Sequence, residues 1–234
     1  MLRCVLRAVA FVLACGLSLP PMTGRAQGLG DRLNRRLVKE LAAGKFLIAS
    51  RGLADPNFSR TVVLLVGYTA EGAAGFIVNR PGNLTLGRLF PRFAESPAGA
   101  ATAFLGGPVV SPGALAALAR SGGVDGQRVL DGVYLVRSRD RLETAIADGD
   151  GSSRLRVYVG YAGWGPGQLD DETAGGSWRI VEGEAGVVFD AKPESVWARL
   201  IARTEALSAS AAPQPGSGAT TLSAARWTRT SSGP

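Results

Sequence analysis

Residues 61–67 read TVVLLVG, an unbroken apolar run rich in β-branched side chains. A run of this length and kind is a buried strand rather than a surface one, so it commits the chain to a covered sheet. Around it stand further short runs: KFLIAS (45–50), AAGFIVN (73–79), TAFLGG (102–107), GVYLVR (132–137) and GVVFD (186–190). All six read as strands. The loop YTAEG has hairpin length and joins the second to the third in chain order. LRVYVGY (155–161) alternates Leu155, Val157 and Val159 with Arg156 and Tyr158, which predicts one buried and one exposed face.

Helical spacing falls between these runs. Helices are expected within 84–94, over 113–121 (GALAALARS), over 138–149 and over 193–207. Ser138 is a good N-cap, Asp140 suits the positive end of the following helix, and Pro193 sits early in the last one. Strands and helices mix without strict alternation. The expected fold class is therefore α+β, a mixed sheet with packed helices in one domain spanning 45–207.

The flanks differ from this middle. MLRCVLRAVAFVLACGLSLPPMTGRAQ has a basic start, an apolar stretch over about Ala8–Leu19, and small residues around Arg25. That order predicts a signal peptide over 1–26, cleaved after Ala26, and a periplasmic or otherwise exported protein. The stretch is too short and interrupted for a comfortable transmembrane span. Translation from Met22 is the alternative and would leave the protein cytoplasmic. VLAC loosely resembles a lipoprotein site, but Leu13 and the apolar sequence beyond Cys15 argue against lipidation. Over 27–44, Leu29, Leu33, Leu37 and Leu41 make a thin apolar stripe on an amphipathic helix with a basic opposite face. Residues 208–234 lack periodicity and are rich in Ala, Ser, Pro and Gly, the composition of a disordered tail.

Much chemistry is excluded outright. The chain has no histidine, and its two cysteines, Cys4 and Cys15, lie in the leader. The rest of the chain therefore cannot form disulfides, Cys/His zinc sites, thiol nucleophiles or a Ser-His-Asp triad. No cofactor or metal is called for. Arg3, Arg7 and Arg25 belong to the leader, and removing them leaves 23 basic against 19 acidic residues. That balance is too mild to argue for nucleic acid.

The stretch GYAGWGPGQLDDE (160–172) invites a phosphate-loop reading and fails it. A dinucleotide fingerprint needs a third glycine where Gln168 stands. A P-loop needs Lys and Ser or Thr where Pro166 and Gly167 stand. Asp170, Asp171 and Glu172 then open the following helix and would repel a phosphate. Trp164 is expected as a buried plug, and Trp164 and Gln168 facing a cleft is the functional alternative.

Three other polar residues qualify as site candidates. Asp55 precedes Pro56 and suits a turn, or a general base if buried. Asn79 and Arg80 end a strand in VNRP. Asn79 suits turn backbone, and Arg80 suits either a carboxylate such as Asp55 or an anionic ligand. GGPV (106–109) reads as a turn.

Five stretches together resemble the YqgE/AlgH family of bacterial proteins. They are GKFLIASRGLADPNFSRTVVLLVGY (44–68), EGAAGFIVNRPGNLTLGRLF (71–90), FLGGPV (104–109), GYAGWGPGQLDDETAGGSW (160–178) and VVFDAKPESVWARLI (187–201). The resemblance covers roughly residues 44–204 and implies an α+β fold whose mixed sheet bends towards a pseudo-barrel. Members are often labelled transcriptional regulators, and no established catalytic residues carry over. The chain departs from the family pattern in its long N-terminal extension, in Tyr68 where histidine is common, and in the helical look of the segment after GGPV. The reading is a non-enzymatic binding, adaptor or regulatory protein with an unknown protein or small-molecule partner. A cytoplasmic regulator is the second reading. An enzyme using carboxylates is the third.

Overall fold

The computed structural model describes residues 40–110, 115–120, 126–148 and 153–210, with residues 209 and 210 described by backbone alone. The first sheet contains β1 (Lys45–Ala49), β2 (Val62–Thr69), β3 (Gly72–Ile77), β10 (Ala162–Trp164) and β11 (Trp178–Glu182). Its order is β10-β3-β2-β1-β11, antiparallel throughout. The second contains β4 (Pro81–Thr85), β5 (Thr102–Leu105), β6 (Leu115–Ala119), β7 (Gln127–Leu130), β8 (Val133–Val136) and β9 (Leu155–Val159). Its order is β4-β5-β9-β6-β8-β7, and β5 runs parallel to β9. The α+β expectation holds. The strands divide into two sheets, and no closed barrel forms among the described residues.

Both faces of each sheet are covered. Phe46, Ile48, Val62 and Leu64 from the first sheet meet Phe104, Leu118, Leu135 and Tyr158 from the second in one cluster. Helix α5 (Pro193–Ser210) adds Val196 and Ile201 to it. The alternate residues Leu47, Val63, Leu65 and Ile77 turn the other way, to Trp164, Leu169 and Trp178. On the far side of the second sheet, Ala117, Val136 and Val157 pack on Leu142 and Ile146 of α2 (Arg139–Ala147). They share that cluster with Leu86 of α1 (Leu86–Leu89) and with Phe90 and Phe93. This double cover is why VVLLV is apolar on every residue: Val62 to Leu65 are all 0% exposed and Val66 is 3%.

Several expectations are corrected. The described part of the helix expected over 113–121 is a strand: Leu115–Ala119 is β6, paired with β8 and β9. Alanine favours helices weakly, and pairing on two sides overrides that preference. The small side chains suit the place, because Ala116 and Leu118 face one core and Ala117 and Ala119 the other. Conversely GVVFD is not a strand. Ala185–Val188 is a helical turn, α4, capped by the Glu184 carbonyl, which accepts from Val187 and Val188. It seats Val188 and Phe189 in the core between the sheets.

The face of β9 expected to be exposed is also buried: Arg156 is 4% and Tyr158 0% exposed. They point into the space between the sheets, which no local alternation reveals. The helix expected within 84–94 stops at Leu89 and resumes as a 3₁₀ turn at Pro91–Phe93, since Pro91 lacks the N–H a continuing helix needs. Residues 40–44 are turn and coil, so the expected 27–44 helix does not reach Gly44. Its remainder, the expected signal peptide and the expected tail beyond Ser210 lie outside the described residues. Residues 208–210, assigned to the tail, belong to α5. Strands β4 and β7 carry too little apolar sequence to be seen in advance, and β10 and β11 (WRIVE) are further strands the sequence reading does not include.

Candidate functional site

The GYAGWGPGQLDDE stretch builds a strand, a turn and a helix. β10 ends at Trp164, the chain turns through Gly165–Gly167, and α3 (Gln168–Ala174) begins. Gly167 caps α3 at φ 73°, a left-handed conformation that costs glycine little. Gln168 Oε1 accepts from the Gly165 N–H at 3.1 Å.

One turn into α3, Glu172 collects three donors. Its Oε2 accepts from Trp164 Nε1 at 3.0 Å and from Trp178 Nε1 at 2.8 Å. Its Oε1 accepts from Gln168 Nε2 at 2.9 Å. Both indoles are buried, and their rings lie edge to face with centroids 6.1 Å apart. Phe58 stacks on Trp164 at 5.8 Å and meets Trp178 edge-on at 5.5 Å. Asp170 is also engaged, by the Tyr68 hydroxyl at 2.7 Å. Partial burial, then the Asp170 charge and hydrogen bond, raise the Tyr68 pKa.

Asp55, Asn79 and Arg80 meet around the 55–62 loop. Asp55 Oδ1 accepts from the Asn57 N–H at 2.8 Å. Asn79 Oδ1 accepts from the Val62 N–H at 2.8 Å, and its Nδ2 donates to the Arg60 carbonyl at 3.0 Å. That bond ties down Arg60, whose φ of 56° is rare for a side chain of its size. Arg80 does not pair with Asp55. Its guanidinium donates to the carbonyls of Asn57 at 2.9 Å and Ser59 at 3.4 Å. Burial lowers its pKa. Phe58 belongs to this loop and lies on Trp164, so it links the two groups. Trp164 is buried beneath that ring, while Gln168 is exposed and bonded to Glu172.

Sequence reasoning missed three residues here. Glu172 is legible in hindsight as the i+4 partner of Gln168. Trp178 and Phe58 have no local signal. It also missed Arg156, which donates to the Val78 carbonyl at 3.2 Å and to the Asp190 carbonyl, and whose guanidinium lies 4.4 Å from the Phe104 ring centroid. The Arg156 Nε and the Tyr158 hydroxyl are buried and make no well-aligned hydrogen bond, although the two side chains lie close enough to interact with each other. Burial lowers the Arg156 pKa and raises that of Tyr158, the nearby guanidinium offsetting only part of the latter.

Replacing Tyr158 with phenylalanine is therefore expected to change stability at neutral pH by no more than about 1 kcal/mol, because the buried hydroxyl it removes has only the poorly aligned Arg156 guanidinium beside it. Since the folded-state pKa lies above the ordinary value of 10.0, the contribution of this group is present below that pH and lost as pH rises beyond it. Alkaline destabilisation above about pH 10 should be shallower in Tyr158→Phe, with Tyr68 supplying the remainder. Urea midpoints measured from neutral to alkaline pH check both. A neutral-pH loss above about 1 kcal/mol would show that the hydroxyl has a partner.

Exposed large apolar side chains stand on β5 and on the segments that follow β5 and β9. Leu105, Val109, Val110 and Tyr161 are 42%, 37%, 66% and 36% exposed. Val109 and Tyr161 exchange backbone bonds at 3.0 and 3.1 Å. Gly107 lets the two segments touch, since a Cβ there would stand 2.3 Å from the Ala162 nitrogen.

Two covered sheets and a carboxylate that holds two buried indoles define an α+β domain of the kind found in bacterial proteins of unassigned activity. The chain belongs to the AlgH-like family, DUF179, whose model matches residues 46–207. A UPF0301 protein of Streptomyces coelicolor is 38% identical over 164 residues, covering 68% of this chain and 85% of the relative. The solution structure of the AlgH protein from Pseudomonas aeruginosa, also UPF0301, is 30% identical, with a TM-score of 0.57 over 74% of this chain and 95% of that one. A crystal structure from Corynebacterium diphtheriae, 21% identical with a TM-score of 0.57 over 75% of this chain and 89% of that one, shares the fold.

Proposed function

We propose that this protein is a non-enzymatic binding or adaptor member of the AlgH-like family, exported after cleavage following Ala26, which meets a protein partner through the surface formed by Leu105, Val109, Val110 and Tyr161. The observation that carries the reading is how the polar candidates are spent. Asp55, Asn79, Arg80, Gln168 and Glu172 all bond groups of the fold itself. A general acid or base needs reach to a substrate proton, and these groups are already held. Val109, Val110 and Tyr161 lie together beside β10 and expose apolar side chains, and such surface is where partners dock.

A photo-crosslinking residue at Val110, in cells, tests the contact. A discrete adduct that Tyr161→Asp abolishes supports it, and an uncoupled monomer under all conditions sinks it. The compartment is tested separately by sequencing the N-terminus of the native protein. Gln27 is expected, whereas chains beginning at Met1 or Met22 in the cytoplasm would remove the export half of the proposal.

A further inference from the structure

The end of β1 and the start of β2 meet α5 around one half-buried indole. Trp197 Nε1 donates to the Ala49 carbonyl at 2.8 Å, which fixes the ring. Two guanidinium groups lie against it. The Arg51 and Arg60 Cζ atoms stand 5.7 and 5.8 Å from the ring centroid, within cation–π range. One carboxylate accompanies them. Glu205, about two turns further along α5, accepts from Arg51 Nε at 2.8 Å and from Arg51 Nη2 at 2.9 Å, a two-pronged fork. The two side chains are 57% and 43% exposed, so the pair contributes little and opens at small cost. The Arg51 hydrogen bond holds the Glu205 carboxyl below its ordinary range, and the Arg51 and Arg179 charges add to that. Arg179 is exposed on β11, opposite Ile48 of β1. Among the described residues, Arg60 and Arg179 have no ion-pair partner, so three cations share one acid.

Arg60 adds an independent observation. Its φ of 56° is a conformation that glycine adopts at less cost, and the Asn79 side chain holds it there through the Arg60 carbonyl. Backbone strain of this kind persists only where the surroundings enforce it, and it gathers at ligand clamps. Here it carries a guanidinium group that rests on an indole and meets no acid.

We propose that Arg51, Arg60 and Arg179 around Trp197 form a docking surface for an acidic segment of a protein partner, whose carboxylates take the place of Glu205 on Arg51 and engage Arg60 and Arg179. The geometry selects this occupant. The surface already receives a carboxylate, that of Glu205, in the two-pronged mode. Trp197 is bonded to backbone and its ring is already taken by two guanidinium groups, so it is not free to stack a nucleic-acid base. A cluster of three cations matches a few carboxylates rather than the length of a polyanion. The surface goes beyond the adaptor reading and does not rest on it, since a crosslink at Val110 forms or fails whatever binds here.

Fluorescence anisotropy of fluorescein-labelled hexaglutamate, titrated with the full chain at low salt, tests it. Saturable binding that weakens as salt is added is expected. Arg60→Gly removes the guanidinium group and suits the backbone, so its melting temperature should stay close to the parent's while binding weakens by about fivefold. Arg179→Gln should weaken binding by a similar factor. Glu205→Gln frees Arg51 and should strengthen it. Arg92→Gln and Glu95→Gln change the net charge equally beside Phe93, on the far side of the second sheet, and should leave binding unchanged. Absence of saturable binding overturns the proposal. So does binding that Arg60→Gly and Arg179→Gln leave intact, that Glu205→Gln fails to strengthen, or that the two distant variants alter as much. A single-stranded DNA of equal charge that binds more tightly than the peptide overturns the assignment to an acidic protein segment.

Discussion

Replacing Glu172 with alanine is expected to destabilise the protein by about 3 kcal/mol, because two buried indole N–H groups lose their shared acceptor. The carboxylate is charged and accepts from Trp164 and Trp178 at 3.0 and 2.8 Å, so these bonds belong to the stronger class. Neither indole has room to turn, since each ring packs on the other and on Phe58. In a domain of this size the loss corresponds to about 6–12 °C in melting temperature. Tryptophan emission should shift to the red as water reaches the two rings. Glu172→Gln keeps one acceptor oxygen and should retain at least half of the stability. An alanine variant within about 0.5 kcal/mol of the parent in urea titration would mean that water replaces the carboxylate without loss.

The second large effect is expected at Arg156. Its alanine variant should lose about 4 kcal/mol, combining a cavity beside Phe104 with two unpaired carbonyls, those of Val78 and Asp190. Arg156→Met separates the contributions. Methionine restores most of the volume and removes a cation whose nearest acid, Asp190, is already paired with Arg199. Burying a charge without a direct partner is costly, so the methionine variant should recover about half of the loss or more. Equal losses in the two variants would assign the stabilisation to the hydrogen bonds alone. Guanidinium titrations at neutral pH distinguish these outcomes.

Family and fold class were legible because the stretches 44–68, 71–90 and 160–178 keep both their apolar runs and their turn residues. Element type failed in two segments, for one reason. LAALA has the composition of a helix, yet β8 and β9 leave a strand-shaped space between them, and alanine is small enough to fill it. GVVFD has the composition of a strand, yet after β11 no strand edge receives it, and the chain turns into α4 and α5. The segment after GGPV thus forms a strand despite its helical sequence.

The candidate site was legible in part. Trp164 was expected as a buried plug, and it is buried. Gln168 and Asp170–Glu172 were expected at a helix start, and α3 begins there. The partners were invisible. Phe58 lies over a hundred positions before Trp164, and Trp178 sits on a strand that sequence did not show. Arg80 was expected to seek a carboxylate and instead meets two carbonyls of a loop.

The sequence by itself determined what this protein cannot do and what must be inside it. The absence of histidine and the confinement of both cysteines to the first fifteen residues remove whole classes of chemistry, and a run such as TVVLLVG must be buried on both faces. Composition and local periodicity suffice for such conclusions because they concern single residues and near neighbours. Only the tertiary structure decided which polar groups meet. Glu172 holds two tryptophans, Arg156 lies between two sheets, and LAALA is a strand because residues distant in the chain were brought beside them. The energy of a buried charge, or of a strand between two others, depends on those neighbours.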